Sequence, residues 1–353
     1  MAHFWVRAET KTGEARAPVT PATARQLIDG GHTVSVELSG DRAFANGDYA
    51  AVGCEMVPAG GWVFSPDDAV VLGIKELPDG PVNLTHTHIY FGHAFKGQAG
   101  WRDLLARFER GNGRLLDLEY LTNDEGRRLA AFGYWAGFAG AALGLMAWAR
   151  LQRDDMPVLP PLAPSENQAA LVEGVREALD GLAPPTALVM GALGRCGTGA
   201  TDLCEALGVS PTRWDMAETE AGGPFPEILG HHVFINCVLG SETTPVFVPT
   251  SAPDDATRKL SIVSDVSCDP SGPNNPIPIY DAITTFAEPV ITIEGSGPPL
   301  YVTAIDHLPS LLPMEASEDY AAQLLPVLLQ FDKDDHGVWA RAEDAFRAQV
   351  AKL

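Results

Sequence analysis

A chain of 353 residues, 46% hydrophobic and 20% charged, has the length of two ordinary domains and the composition of a globular protein with a substantial core. Its net charge of −22 argues against nucleic acid or an anionic membrane as partner, since both need basic patches, and any anionic small molecule must be held by local arginines. Five cysteines (Cys54, Cys196, Cys204, Cys237, Cys268) without a Cys-x-x-Cys pair, and an N-terminus unlike a signal peptide, point to a reducing, cytoplasmic location.

Residues 4–8 read as a first strand. Thr20 and Pro21 then open a helix, as N-cap and first helical residue, that runs to Gly30-Gly31. A strand is expected over 33–38, a short helix over 49–53 and a brief strand over 55–57. The continuous apolar run 69–74 has the pattern of a strand covered on both faces in a parallel sheet, and delivers Lys75 and Glu76 at its carboxyl end. A strand over 87–91 delivers His93. A helix over 98–110 follows, and a strand over 115–118 delivers Glu119. This alternation predicts a first α/β domain.

Residues 129–149 are 21 in a row without a charge, enough to span a bilayer, with small residues at Gly133, Gly137, Gly140 and Gly144. The abundant alanine, and the lack of a second such segment, favour a buried helix that crosses between two domains and lies close against both sheets. A proline-rich linker is expected over 154–164, and a helix to 179 opened by a capping box at Ser165. Strands are expected at 187–190, near Trp214, and at 233–238, 261–266 and 290–293. Helices over 315–329, returning to the first domain, and 338–351 complete the chain. The expected class is α/β: two Rossmann-like domains with parallel sheets flanking a central cleft, one formed by 1–128 with about 315–353, the other by 129–314.

The most informative stretch is 187–216. An apolar strand meets Gly191, with Gly194 and Gly197 following, then a helix, then a second strand ending in Asp215, 18 residues past Gly197. This is the layout of a dinucleotide fold, in which glycines admit a pyrophosphate to a helix N-terminus and the acid binds the adenosine ribose. The spacing Gly-x-x-Gly-x-x-Gly departs from the usual fingerprint, and the alternative is a glycine turn in an ordinary βα unit. Asp215 would repel a 2′-phosphate, so NAD is expected over NADP.

Ligands of open α/β sheets sit beyond the carboxyl ends of the strands, where Lys75, Glu76, His93 and Glu119 fall. A lysine and a histidine beside two carboxylates form a plausible acid–base set, because neighbouring charges and burial separate their pKa values. The alternative is a surface ion pair and a packed histidine. Arg16, Arg127 and Arg128 could clamp carboxylates or be solvated charges, with Arg127 and Arg128 opening the crossing helix. His86, His88 and His93 lack an evident fourth ligand, and no metal is expected. Residues 332–343 match a calcium loop in part, but His336 stands where an oxygen ligand belongs, so a plain loop is expected. Cys196 and Cys237 follow neighbouring strands and are read as small buried residues that could come close enough to oxidise.

The chain resembles the NAD-dependent, lysine-forming saccharopine dehydrogenases, relatives of alanine dehydrogenase and the transhydrogenase nucleotide-binding module. The motifs RAETKTGEARAPVTP, GIKELP, FGHAFKGQAGW, LLDLEYL, GRRLAAFGYWAGFAGAAL, GALGRCGTGA, RWDMAET, FINCV, DVSCD and IDHLPSLLPMEAS carry the resemblance, in order and over almost the whole chain. It implies oxidative cleavage of saccharopine to lysine and 2-oxoglutarate with reduction of NAD, by a monomer or small homo-oligomer with no nucleic-acid or membrane partner. It places Lys75 on a proton-accepting lysine and His93 on a proton-donating histidine, with Glu76 and Glu119 as supporting carboxylates. Arg16, Gln98, Arg128, Phe132 and the loop Ser267, Cys268 and Asp269 fall on substrate positions. Gly191, Gly194, Arg195, Gly197, Asp215, Thr219, Arg127, Leu239, Val266, Ile305, Asp306, His307 and Leu308 fall on nucleotide positions. Leu239 stands where the family carries a tyrosine, and Cys268 replaces a smaller residue. The other readings are an alanine-dehydrogenase-like enzyme using a small 2-oxo acid and ammonia, and a non-catalytic NAD(H)-binding regulator.

Overall fold

In the computed structural model, which describes residues 1–333 and 337–353, the chain divides into two compact units, Met1–Ala131 with Pro313–Leu353, and Phe132–Leu312. The first unit is built on β1 (His3–Val6), α1 (Pro21–Asp29), β2 (Thr33–Glu37), α2 (Asn46–Ala51), β3 (Glu55–Val57), β4 (Ala69–Leu72), β5 (Thr87–Tyr90), α3 (Trp101–Gly111) and β6 (Arg114–Asp117). Its strands pair in the order β3-β2-β1-β4-β5-β6, all parallel. The order reverses between β1 and β4, and the carboxyl end of that junction is where such sheets bind ligands. Thr20 caps α1 as expected, in a capping box with Thr23.

The second unit begins with α4 (Gly133–Gln152) and α5 (Gln168–Leu179). It continues through β7 (Ala187–Met190), α6 (Arg195–Ala206), β8 (Thr212–Trp214), α7 (Met216–Thr219), α8 (Pro226–Leu229), β9 (Val233–Asn236), β10 (Ile262–Asp265), β11 (Ile291–Ile293) and β12 (Leu300–Thr303). Its order is β11-β12-β10-β9-β7-β8, reversing between β7 and β9. The edge strand β11 runs antiparallel to β12, so this sheet is not wholly parallel. β12 itself, a buried strand behind a Gly-Pro-Pro turn, has no counterpart in the sequence reading.

The uncharged helix starts four residues later than expected. It starts at Gly133 and belongs to the second unit. Its glycines face that unit: a Cβ on Gly137 would stand 1.8 Å from the Cys196 carbonyl oxygen of α6, and one on Gly140 would stand 2.5 Å from Val266. The helix is thus a core element of one unit, and no helix among the described residues is long and apolar enough to cross a membrane. The segment 154–164 is likewise no free linker. Val158 and Leu159 are buried, and the Leu162 N–H donates to the Phe286 carbonyl at 2.7 Å. Asn167, not Ser165, caps α5, accepting from the Ala170 N–H at 2.9 Å.

Two last helices, α9 (Pro313–Leu328) and α10 (Val338–Val350), belong to the first unit. The hydroxyl of Ser317 on α9 accepts the Ala17 N–H at 2.9 Å, and Phe346 on α10 packs edge-on against Phe108 of α3. The expected calcium-like loop includes Asp334, Asp335 and His336, which lie outside the described residues.

Candidate active site

At the β1–β4 reversal of the first unit the chain gathers charges inside an otherwise apolar setting. Gly73 leaves room for Arg7, whose guanidinium nitrogens would stand 2.3–2.6 Å from any Cβ there. Arg7, 1% exposed, crosses that gap to donate to the Lys75 carbonyl oxygen and to pair with Glu9 at 3.2 Å. Glu9 in turn accepts from the Ile74 and Lys75 N–H groups at 2.6 and 3.0 Å. Burial raises the Glu9 pKa, opposed by Arg7 and the two backbone donors. The backbone that presents Lys75 is therefore clamped on both sides, and Lys75 is buried, 7% exposed. That excludes the surface-ion-pair reading of Lys75.

Arg16 is buried as well and is not a solvated charge. Its Nε and an Nη donate to the two carboxylate oxygens of Glu14 at 2.8 and 2.6 Å. Burial alone would raise the Glu14 pKa. The Arg16 charge and hydrogen bonds overcome it and hold the carboxyl below its usual range, aided by Lys75.

From β5 the chain turns at Gly92 into His93, which takes a left-handed conformation at φ 49° and stacks its ring on Phe91. Desolvation and then the positive charge of Lys75 lower the His93 pKa, while Glu76 and Glu119 oppose the shift. Glu119 is salt-bridged to Lys96 at 2.7 Å, and Glu76 is exposed. Glu76, His93 and Gln98 line one cavity of about 510 Å³ within this unit. Gln98 precedes α3, which starts only at Trp101, and its Oε1 accepts the Lys96 N–H at 2.8 Å. Arg127 and Arg128 do not open a helix. They lie exposed in a turn closed by the Thr122–Arg128 bridge, ahead of Phe132, the N-cap of α4.

His86 and His88 do not join His93. His86 bonds Ser65, and His88 is wholly enclosed by Trp62, Tyr90 and Phe108. Among the described residues no three His, Cys, Asp or Glu are grouped as metal ligands. A further cavity of about 640 Å³, lined by Thr85, Thr87, Arg114 and Arg347 at the other end of this sheet, holds none of the acid–base residues.

In the second unit, β7 ends at Gly191, which adopts φ 79°. A Cβ on Gly197 would meet the Gly191 carbonyl oxygen at 2.1 Å, so this glycine is needed for helix and turn to approach. Gly194 is the N-cap of α6 and has no side chain with which to cap it, so the first turn presents backbone N–H groups and the positive end of the helix dipole. Asp215 follows β8 and folds back: its carboxylate accepts the Leu193 N–H at 3.0 Å and the Met216 N–H at 2.9 Å while capping α7. Asp215, Thr219 and the exposed Leu239 line a cavity of about 640 Å³.

The loop after β10 is fixed by the buried Asp265, which accepts from Ser267 Oγ at 2.7 Å, Asn236 Nδ2 at 2.9 Å and the Tyr280 hydroxyl at 2.5 Å. Cys268 stands at φ 51° with its thiol donating to the Ala304 carbonyl, and burial pushes that thiol up to about 12. Ile305 and Leu308 are buried and can only back a ligand, whereas Asp306 is exposed and pairs with His307, which stacks on Phe286. Cys196 and Cys237 are free thiols. Desolvation and then Cys196 raise the Cys237 pKa.

Residues 5–139 match the family described as alanine dehydrogenase/PNT, N-terminal domain. The chain is 46% identical over 364 residues to the saccharopine dehydrogenase (NAD(+), L-lysine-forming) of Schizosaccharomyces pombe, with 99% of each covered. This chain belongs to the lysine-forming saccharopine dehydrogenase family. The Yarrowia lipolytica enzyme of the same name is 46% identical over 359 residues, covering 99% of this chain and 97% of its own. A solved L-alanine dehydrogenase shares the fold, with a TM-score of 0.67 at 18% identity over 98% of this chain and 93% of its own.

NAD is the cofactor of this family member, and the second unit fits it. The glycine cradle would be filled by any Cβ at Gly197, α6 lacks a side-chain cap, and the Asp215 carboxylate ends β8 beside the glycine turn, where an acid can meet the adenosine ribose. The first unit carries the same β-α-β opening, but there the terminal acid, Glu37, is fully buried. It is taken up by Trp5 Nε1 and the N–H groups of Ala8, Gly60 and Trp62 at 2.7–2.9 Å.

Sequence reasoning overlooked Glu9, Glu14, Lys96, Asp117 and Asp265. The signal that points to the first two is the dense alternation of charge in Arg7, Glu9, Lys11, Glu14 and Arg16 directly after a buried strand.

Proposed function

We propose that Lys75 and His93 carry the proton transfers of the NAD-dependent, lysine-forming saccharopine dehydrogenase reaction. Saccharopine is a secondary amine bearing three carboxylates, and its oxidation and hydrolysis yield L-lysine and 2-oxoglutarate. NAD, when held by the glycine turn and Asp215 of the second unit, would supply the acceptor for the hydride of the glutamyl α-carbon. Lys75 takes the proton of the secondary amine. His93, kept neutral near pH 7 by its lowered pKa, takes the proton of the water that attacks the imine. His93 passes that proton to solvent and then takes the hydroxyl proton of the carbinolamine as it collapses, while Lys75 returns its proton to the departing amine nitrogen. Arg16, shared with Glu14, and Arg128 hold substrate carboxylates, with Gln98 as a further contact. Glu76 and Glu119 temper the positive charge around the pair.

The observation that carries this reading is the placement of a buried lysine and a histidine just beyond the carboxyl ends of adjacent parallel strands, β4 and β5. We further assign catalysis and substrate to the first unit and NAD to the second, where Gly191, Gly194, Arg195, Gly197, Asp215, Thr219, Leu239, Val266 and residues 305–308 serve the nucleotide. A cytoplasmic monomer or small homo-oligomer accords with five free thiols. Lys75→Met tests the mechanism: NADH affinity should stay within about twofold while saccharopine oxidation slows about 10²–10⁴-fold. A loss below about threefold would contradict it.

A further inference from the structure

Asp117 ends β6 opposite Tyr90 of β5 and is completely buried. Its Oδ2 accepts the Gly92 N–H at 3.1 Å, and its Oδ1 accepts the Glu119 N–H at 2.9 Å. One carboxylate therefore ties the turn that carries His93 to the turn that carries Glu119. The neighbouring contacts leave that turn little freedom. A Cβ on Gly92 would stand 2.5 Å from Leu115 and 3.2 Å from Asp117, and the Phe91 N–H donates to the Ile74 carbonyl at 3.1 Å. The next residue, His93, is held in a left-handed conformation that costs a non-glycine residue energy unless its surroundings enforce it. Glu119 closes the far side through Lys96 at 2.7 Å.

We propose that Asp117 is a positioning residue for the reaction, acting through His93 by fixing the Gly92–His93 backbone and aligning it with Glu119. The inference rests on the reading of His93 given above. Burial pushes the Asp117 carboxyl up to about 7, against the two backbone donors. An acid kept in a place that disfavours its charge is there for its two acceptor oxygens. An asparagine fills the same space but offers one acceptor, and turns an N–H₂ toward the other donor.

The test is a double-mutant cycle in saccharopine oxidation by the full chain. Asp117→Asn should lower kcat by about ten- to a hundredfold, the cost of moving an acid–base group by about 1 Å, with NADH affinity within about twofold. In a His93→Gln background the same change should add less than about twofold, because the group it positions is gone. Losses that multiply in the double variant, or a kcat within twofold of the parent for Asp117→Asn, would overturn the proposal. A slow His93→Gln beside a parent-like Asp117→Asn overturns this inference alone, whereas a parent-like His93→Gln overturns both it and the role given to His93. Should Asp117→Asn fail to fold, Asp117→Ser, smaller and still an acceptor, carries the same comparison.

Discussion

Replacing Gly137 by alanine tests the link between packing in the second unit and its nucleotide cradle. In an ordinary helix interior the change stabilises by about 1 kcal/mol. Here the new Cβ would stand 1.8 Å from the Cys196 carbonyl oxygen, 2.7 Å from its carbon and 3.1 Å from the Ala200 nitrogen, all of them backbone atoms. Gly199 makes the reciprocal approach, 2.0 Å from the Tyr134 carbonyl oxygen, so neither helix can yield by a rotamer change. The helices must part by about 1 Å or more, and overpacking of this kind costs about 1–3 kcal/mol, more than the helical gain. The displaced peptide of Cys196 lies in the first turn of α6, where the pyrophosphate of NAD is expected to bind. A shift of that size breaks a hydrogen bond to a charged group, worth about 1.5–3 kcal/mol, so NADH affinity should fall roughly ten- to a hundredfold. Fluorescence titration with NADH and thermal unfolding measure the two effects. Gly174→Ala in α5, where a Cβ meets nothing within 4 Å, is the control and should stabilise slightly. A Gly137→Ala protein as stable as its parent and binding NADH within twofold would refute the reasoning.

Further outcomes follow from the charged residues. Asp215 should make kcat/KM for NAD exceed that for NADP by about tenfold or more, through two ribose hydrogen bonds and repulsion of a 2′-phosphate, and equal values would remove its role. Arg128→Ala should raise KM for 2-oxoglutarate or lysine by about tenfold, and an unchanged KM for both would remove its role in binding carboxylates. Arg16→Ala should raise KM similarly but also destabilise by about 3–5 kcal/mol, because Glu14 is left buried without its partner. The depressed Glu14 pKa contributes stability that is present above its unfolded value near 4.5 and lost as pH falls through the folded value. Arg16→Ala should therefore flatten the stability–pH curve below about pH 4.5, and an unaltered acid limb in urea melts would contradict the pairing.

The parts of this molecule that were legible in sequence are those with local signals. Gly191, Gly197 and Asp215 announce a strand, a close helix and a terminal acid within one stretch. Lys75 and His93 stand directly behind short apolar strands. The partners that hold them are remote in sequence: Glu9 reaches Ile74 and Lys75, and Asp117 reaches back to Gly92. No periodicity encodes such a pairing. The neighbours of the uncharged helix were hidden for a related reason. Its all-round apolar surface shows that it is buried, but only the contacts of Gly137 and Gly140 show that Cys196 of α6 and Val266 lie against it. Ser165 failed as a cap because Asn167, two residues on, offers a side-chain oxygen to Ala170 at 2.9 Å.

The most direct test of the whole account compares NADH oxidation by the full chain with lysine plus 2-oxoglutarate and with pyruvate plus ammonia. Turnover is expected with the first pair, little or none with the second, and loss of the first in Lys75→Met with NADH binding retained. Preference for pyruvate and ammonia, or tight NADH binding with no turnover on either pair, would contradict it.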